Sequence, residues 1–390
     1  MMSVTDQRQW NFPTRMVFGV GAITRLPKLC GELGMKNPLF VTDEGLKDMA
    51  IVTDTVALMS ESDVPVAVFS GVKGNPTNGN VEYGLKVYRD GGHDSVIAFG
   101  GGSALDAGKA IAFMAGQERP IWDFEDIGSN WRRANVDTIA PVIAVPTTSG
   151  TGSEVGRASI ISNEETKAKK IIFHPTMMPE IALCDPELTV GLPAHLTAAT
   201  GFDAFVHCFE AFCAPGYHPM ADGIALEGMC LAAKHLPKAV HEGSDLEART
   251  HMMSVAAMGA TAFQKGLGGV HALSHAIGAL YDTHHGLTNA VVMPYVVRSN
   301  ESVIGDKMAR IGRALELETQ NFDGVFDWLL KFRKEVLIPN TLGDMKLPTG
   351  DADELGERAV QDPCAGANPI QHDAAKYAEI FRKGLAGDLS

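Results

Sequence analysis

One aspartate and four histidines in the second half of the chain have the types and spacing of a divalent-metal site: Asp203 and His207, His271 and His275, and His285. Asp203 and His207 are four residues apart, so on a helix they share one face about a turn apart. His271 and His275 repeat that spacing. A carboxylate and neutral imidazoles suit Fe(II), Zn(II) or another first-row ion, and ligand type alone does not choose among them. Geometry adds a condition. In one unbroken helix His271 and His285 would stand roughly 21 Å apart, too far for two ligands of one ion. The chain must turn back between them, and Gly278, Asp282, Thr283 and Gly286 supply the turn chemistry. With 13 histidines some four-residue spacings arise by chance. His174, His195, His218, His235, His241 and His251 are read as surface or cap residues. Cys208 and Cys213 lie beside His207 and are read as small core residues rather than thiolate ligands.

Two loops in the first half suggest what such an ion would work with. GGGSALDAGK (100–109) follows an apolar run and opens a helical pattern. Glycines let backbone approach a ligand closely, and a helix start offers free N–H groups and a positive dipole end. The loop fits neither a Walker A motif nor the common Rossmann fingerprint, so it reads as a phosphate site or as a tight strand-to-helix turn. PTTSGTGSE (146–154) also follows an apolar run and supplies several hydroxyls. In open α/β sheets ligands sit at the carboxyl ends of strands, so the two loops point to one extended cofactor site. Asp43, at the end of an early apolar run, is a candidate for the adenosine ribose, where it would accept from both hydroxyls and repel a 2′-phosphate.

The elements that must position these residues follow from periodicity. NPLFVTD (37–43), PVAVFSGV (65–72), SVIAFGGG (95–102) and APVIAVPTT (140–148) read as strands. VEYGLKVYRD (81–90) and SALDAGKAIAFMAG (103–116) read as helices between them. Alternating strands and helices predict a parallel, doubly wound α/β sheet. RASIISN (157–163) and EIALCDPEL (180–188) read as further strands. From Leu192 onward the chain is helical, with long segments at 195–213, 223–240 and 246–264. A boundary near 188–192 therefore divides an α/β domain (1–190) from an all-α domain (191–390). Residues 338–370 read as partly irregular, followed by a last helix at 372–385.

Composition sets outer bounds. A chain of 390 residues is long enough for two cores. A net charge of −14 argues against a nucleic-acid or anionic-membrane surface. No apolar run reaches the roughly 18 residues of a membrane span, and MMSVTDQRQWNFPTR lacks a signal-peptide apolar core. Six cysteines without a CxxC pair read as reduced thiols, so a cytoplasmic protein is expected.

GGGSALDAGK, PTTSGTGSEV, DPELT (185–189), Gly201-Phe-Asp203 with His207, and HALSHAIGALYDTHHG (271–286) together resemble the iron-containing (group III) alcohol dehydrogenases. WNFPTRMVFGVGA (10–22) and GNPT (74–77) also fit, so the motifs run along most of the chain in the family's order. The resemblance implies a dehydroquinate-synthase-like fold: a dinucleotide-binding α/β domain, a helical metal-binding domain, and the metal in the cleft between. It implies metal ligation by Asp203, His207, His271 and His285. His285 is preferred over His284 because the family's ligand directly precedes the glycine occupied here by Gly286. His275 would stand beside the reaction without being a ligand, as a proton relay. Gly100, Gly101, Gly102 and Ser103 would hold the pyrophosphate of NAD. Asp106, Thr147, Thr148, Lys169 and Leu188 would line its nicotinamide and ribose, and Asp43 matches the position associated with NAD over NADP. The implied reaction is hydride transfer between a small alcohol, or its aldehyde or ketone, and NAD(H), with Fe(II) or Zn(II), in a homo-oligomer such as a dimer. Arg157 departs from the small or amide residue usual there. It would pair with an anionic substrate such as 4-hydroxybutyrate if it reached the cleft, and otherwise be a solvated charge. Glycerol-dehydrogenase-like, dehydroquinate-synthase-like and maleylacetate-reductase-like enzymes are the neighbouring readings. A non-catalytic metal- or nucleotide-binding scaffold is the reading from another class.

Overall fold

The computed structural model describes residues 11–12 and 14–390. Trp10 and Pro13 of the WNFPTRMVFGVGA segment lie outside the described residues. Contacts divide the chain into two compact units, Phe12–Val190 and Gly191–Ser390, the latter joined by Asn11.

The first unit is built on β1 (Arg15–Phe18), β2 (Pro38–Asp43), β3 (Ala67–Val72), β4 (Ser95–Gly100), β5 (Val142–Pro146) and β8 (Ile181–Cys184), numbered with the hairpin strands β6 (Ala158–Asn163) and β7 (Ala168–Phe173). The six strands form one parallel sheet in the order β1-β8-β5-β4-β2-β3. The central strands are unbroken apolar runs because helices cover both faces. Alternate side chains separate cleanly. Leu39, Val41, Val96 and Ala98 face one core with Leu105 and Ile111. Phe40, Ile97, Phe99 and Val145 face the other with Leu29 and Val52. The helices concerned are α1 (Leu26–Leu33) and α2 (Ala50–Glu61) on one side, and α3 (Asn78–Asp90) and α4 (Gly102–Met114) on the other.

The expected doubly wound sheet is present, the strand expected at 157–163 lies outside it, and β1 and β7 carry too little pattern to be read. The segment 157–163 is a strand, but β6 pairs antiparallel with β7 in a separate hairpin rather than joining the sheet. The alternation of AKKIIF is too weak to mark β7, which is only half-buried. β1 is an edge strand paired with β8 alone, and its four residues carry little pattern.

The second unit is helical: α5 (Ala194–Cys213), α6 (Pro219–His241), α7 (Leu246–Ala262), α8 (Gly269–Tyr281), α9 (His285–Ser299), α10 (Glu301–Ala314), α11 (Phe322–Glu335), α12 (Ala352–Gln361) and α13 (Ala374–Ala386). α5 is buried almost end to end and packs on α6, α7 and α9. The stretch expected to be partly irregular contains α12. Among the described residues no helix is long and apolar enough to cross a membrane.

Candidate metal centre and cofactor loops

The two four-residue spacings lie on helices as expected, Asp203 and His207 on α5, His271 and His275 on α8. The turn required before His285 is made at Asp282, which ends α8 in the left-handed conformation (φ 50°). Gly278 and Gly286, expected to help break the chain, are instead helical. Gly286 has a different task. A Cβ there would lie 2.5 Å from the carbonyl oxygen of Ala199 and 3.0 Å from Asp203 Cβ, so only glycine lets the start of α9 rest on α5 beside Asp203. Gly259 of α7 does the same for His207, whose Cβ would be 2.9 Å from an added methyl.

These approaches bring one atom from each of Asp203, His207, His271 and His285 within 4.8 Å of one another. Asp203 Oδ1 stands 3.8 Å from His207 Nε2, 3.9 Å from His271 Nε2 and 3.8 Å from His285 Nε2. Ligands bonded to one ion at about 2.0–2.2 Å lie no more than about 4.4 Å apart; the three Asp203–imidazole distances meet that limit, and the 4.8 Å bound on the whole set requires only a small inward shift for the group to close on one first-row cation. A carboxylate oxygen and three imidazole nitrogens can all offer lone pairs to one ion. Asp203, His207 and His271 are buried, and His285 is partly exposed.

Surrounding groups fix which nitrogen faces the centre. His271 Nδ1 donates to Glu210 Oε2 at 2.6 Å, leaving Nε2 free. Glu210 also accepts from Val270 N at 2.8 Å, and burial pushes its carboxyl up to about 7. Burial holds the His271 ring well below the ordinary histidine range, in the neutral form that a ligand requires. His285 Nδ1 lies 3.3 Å from Ser274 Oγ. His284 faces elsewhere: it caps α9, its Nδ1 accepting from Leu287 N at 3.3 Å.

His275 lies beside the four, its ring stacked on His285 with centroids 5.2 Å apart. Its Nδ1 donates to Asp362 Oδ2 at 2.9 Å, and its Nε2 is buried without a partner among the described residues. Burial pushes the Asp362 carboxyl up. The His275 ring and the Cys364 N–H outweigh it, so Asp362 sits below the ordinary carboxylate range.

Sequence reasoning missed Glu210, Asn289 and Asp362. Glu210 had a signal: with Asp203 and His207 it lies on one face of α5. Asn289 follows His285 by one turn. Asp362 lies between α12 and a short 3-10 turn, where no period marks it. Cys208 and Cys213 are core residues, as read. His174 and His218 are caps as expected, though buried, and His235 is buried against His251 rather than at the surface.

In the sheet unit the chain passes from one side of the sheet to the other between β2 and β4, so the crevice at their carboxyl ends is a topological switch point. Asp43 ends β2 there. Its Oδ1 accepts from Gly45 N and Leu46 N, its Oδ2 faces Gly100, and burial raises its pKa. Gly100 has φ +143°, and a Cβ on it would meet Ala104 Cβ at 2.8 Å. Gly101 leaves the start of α4 without a side-chain cap, and the first turn, with Gly102 and Ser103, carries no acidic residue. A phosphate fits that end. Thr147 N donates to Gly100 O at 2.9 Å, joining the two loops, and Thr148 lies against Gly101.

The remaining predicted cofactor residues are partly engaged. Asp106 accepts from Ser153 Oγ at 2.5 Å and Ile160 N at 2.9 Å, and pairs with buried Lys109 at 3.3 Å. It therefore clamps the 146–160 segment to α4. Lys169 donates to Asn75 Oδ1 at 2.7 Å, which ties β7 to the GNPT turn. Leu188 is buried in a short 3-10 turn after β8. Arg157 is half-buried, with its guanidinium 5.5 Å over the Phe173 ring and the Asp126 charge nearby.

With this geometry in hand, the chain was compared with known proteins. The family model described as "Iron-containing alcohol dehydrogenase" matches residues 13–186, and the C-terminal model of the same family matches 197–385. A 4-hydroxybutyrate dehydrogenase of Cupriavidus necator is 40% identical over 384 residues, covering 95% of this chain and 98% of its own. A 1,3-propanediol dehydrogenase of Citrobacter freundii is 35% identical, covering 96% and 97%. The crystal structure of a 1,3-propanediol oxidoreductase superposes with TM-score 0.91 at 34% identity, covering 97% of this chain and 100% of that one.

Proposed function

The chain belongs to the iron-containing alcohol dehydrogenase family, and from that premise we propose that Asp203, His207, His271 and His285 hold its metal and that His275 serves the proton step. It is an oxidoreductase that transfers hydride between a CH–OH group and NAD(H), with iron and NAD as cofactors. The observation that carries the site assignment is the convergence of three imidazole Nε2 atoms on Asp203 Oδ1 at 3.8–3.9 Å. When bound, the ion supplies Lewis acidity toward the substrate oxygen. Zn(II) suits the same donor set.

The chain's own groups divide the remaining work. Glu210 and Ser274 orient His271 and His285. Asp362, a carboxylate that can only accept, holds the His275 proton on Nδ1 and leaves the Nε2 lone pair as the base. Gly100, Gly101, Gly102 and Ser103 supply backbone N–H groups for the NAD pyrophosphate. Thr147, Thr148, Lys169 and Leu188 line the rest of the cofactor, with Asp106 holding that loop. Asp43 Oδ2 is placed to accept from the ribose and to repel a 2′-phosphate, which supports NAD over NADP.

The substrate class is a small alcohol or its aldehyde. The hydroxy-acid reading is equally consistent with the relatives, one of which is a 4-hydroxybutyrate dehydrogenase at 40% identity; on that reading Arg157 would have to reach the substrate to meet its carboxylate. We read the protein as a cytoplasmic homo-oligomer, a dimer. The deciding experiment loads the protein with Fe(II) anaerobically, supplies NAD⁺ with short alcohols, diols and 4-hydroxybutyrate, and follows NADH absorbance. Turnover of the diols or alcohols with none of the hydroxy acid removes the second reading. No turnover with any substrate in either direction, at full metal content, overturns the functional reading.

A further inference from the structure

Asn289 is a fully buried amide on α9, one turn beyond His285. Its Nδ2 lies 2.7 Å from Asp203 Oδ1, 3.1 Å from His271 Nε2 and 3.1 Å from His285 Nε2. Three of the four converging atoms thus share one amide nitrogen as donor. The other end of the amide, Oδ1, is buried and has no hydrogen-bond partner among the described residues. Leaving a buried acceptor unsatisfied costs free energy, so something must hold the amide in this orientation. The converging atoms do: all are acceptors, and turning the amide over would set its oxygen against a carboxylate and two imidazole lone pairs.

We propose that Asn289 is a positioning residue of the metal centre, resting on the ligand assignment above. Its N–H groups align Asp203 with His271 and His285 before the ion arrives, so the site is assembled in the metal-free protein. A nitrogen lone pair given to an ion can no longer accept a hydrogen bond, so the two 3.1 Å contacts are surrendered on metal binding. A carboxylate oxygen keeps a second lone pair, so the 2.7 Å bond to Asp203 persists and keeps Oδ1 aimed at the ion. Outer groups of this kind commonly change metal affinity by about 10–100-fold.

The test uses the full chain and Co(II), whose absorption reports its ligands. Asn289→Leu keeps the approximate shape and removes the donor. Its Co(II) dissociation constant should rise by about 10–100-fold, with the ligand-field bands shifted in position but the same number of protein ligands. Wild-type affinity and an unchanged spectrum would overturn the proposal. Loss of one ligand from the spectrum would also overturn it, by making Asn289 a ligand. Asn289→Asp provides an independent measurement should the leucine variant fold poorly. It places a second carboxylate against Asp203, so the metal-free protein should melt below the wild type and gain more from added Co(II) than the wild type does. A metal-induced gain no larger than the wild type's sinks the idea. Because these readouts are affinity, spectrum and melting temperature, an intact metal response in a protein without dehydrogenase activity would refute the functional reading and leave this one standing.

Discussion

The imidazoles at the centre differ in what their Nδ1 atoms touch, and that difference underlies the roles proposed for them. His271 is backed by Glu210 at 2.6 Å and His285 by Ser274 at 3.3 Å, while the partner of His275 is Asp362 at 2.9 Å. His275 therefore has a part-buried carboxylate behind it and an Nε2 with no partner among the described residues in front, an arrangement that suits a base better than a fifth ligand. His275→Ala should lower turnover by about 10²-fold or more, the usual share of a positioned acid–base group, while metal content stays at the wild-type level. Equal loss of metal, measured by elemental analysis beside the rate, would make His275 a ligand. Much of this was legible in the sequence, because two four-residue spacings on helices and one distant histidine already name the atoms that converge. The choice between His284 and His285 was not legible from spacing, since adjacent residues on a helix start point in different directions; the cap made by His284 is what separates them. Asp362 was illegible because its partner is 87 positions away and its own segment has no period.

At the scale of elements, the proposed ligand set comes together because three helices approach more closely than side chains normally allow. α5 carries Asp203, α8 carries His271, and α9 starts at His285, so the last ligand is placed by how the first turn of α9 seats on α5. Gly286 makes that seat. A methyl there would press on the Ala199 carbonyl at 2.5 Å, and backbone cannot swing aside as a side-chain tip can. Gly286→Ala should destabilise the protein by about 1–3 kcal/mol, the usual range for overpacking, and should weaken metal binding because His285 moves with the helix. Melting temperature and titrated metal affinity check both parts; a variant with wild-type affinity would show that the seat does not set the ligand. The sequence suggested Gly286 as a turn former, and the correction has a physical reason: the turn needs only the three residues after Tyr281, with Asp282 in the left-handed region, so the glycine is free to serve packing. Strands legible from sequence were β2, β4, β5 and β8, buried on both faces, together with the half-buried β3 and β6. β1, β7 and the separateness of the β6–β7 hairpin were not, because half-exposed strands of mixed composition carry neither a continuous apolar run nor a clean alternation.

For the whole molecule, the proposed assignment gives the two units different ligands, and this would make the metal's contribution separable. The four proposed ligand residues all lie within Gly191–Ser390, and the glycine loops and Asp43 all lie within Phe12–Val190. A ligand that binds only the folded state stabilises it by RT ln(1 + [L]/Kd), about 2.7 kcal/mol when the free ion stands at a hundred times Kd. That stabilisation acts on whatever must unfold to release the ion. In this chain the elements concerned are α5, α8 and α9, whose packing is inseparable from the ligand geometry. Removing the metal with a chelator should therefore lower hydrogen-exchange protection first in those three helices, with smaller change in β2, β4 and β5, and adding Fe(II) or Zn(II) back should restore it. NAD should do the reverse, protecting the loops after β4 and β5 more than α8 or α9. If chelation loosened the sheet and the three helices equally, the ion would be stabilising the chain as one cooperative body, and the assignment of separate ligands to separate units would fail as an account of its stability.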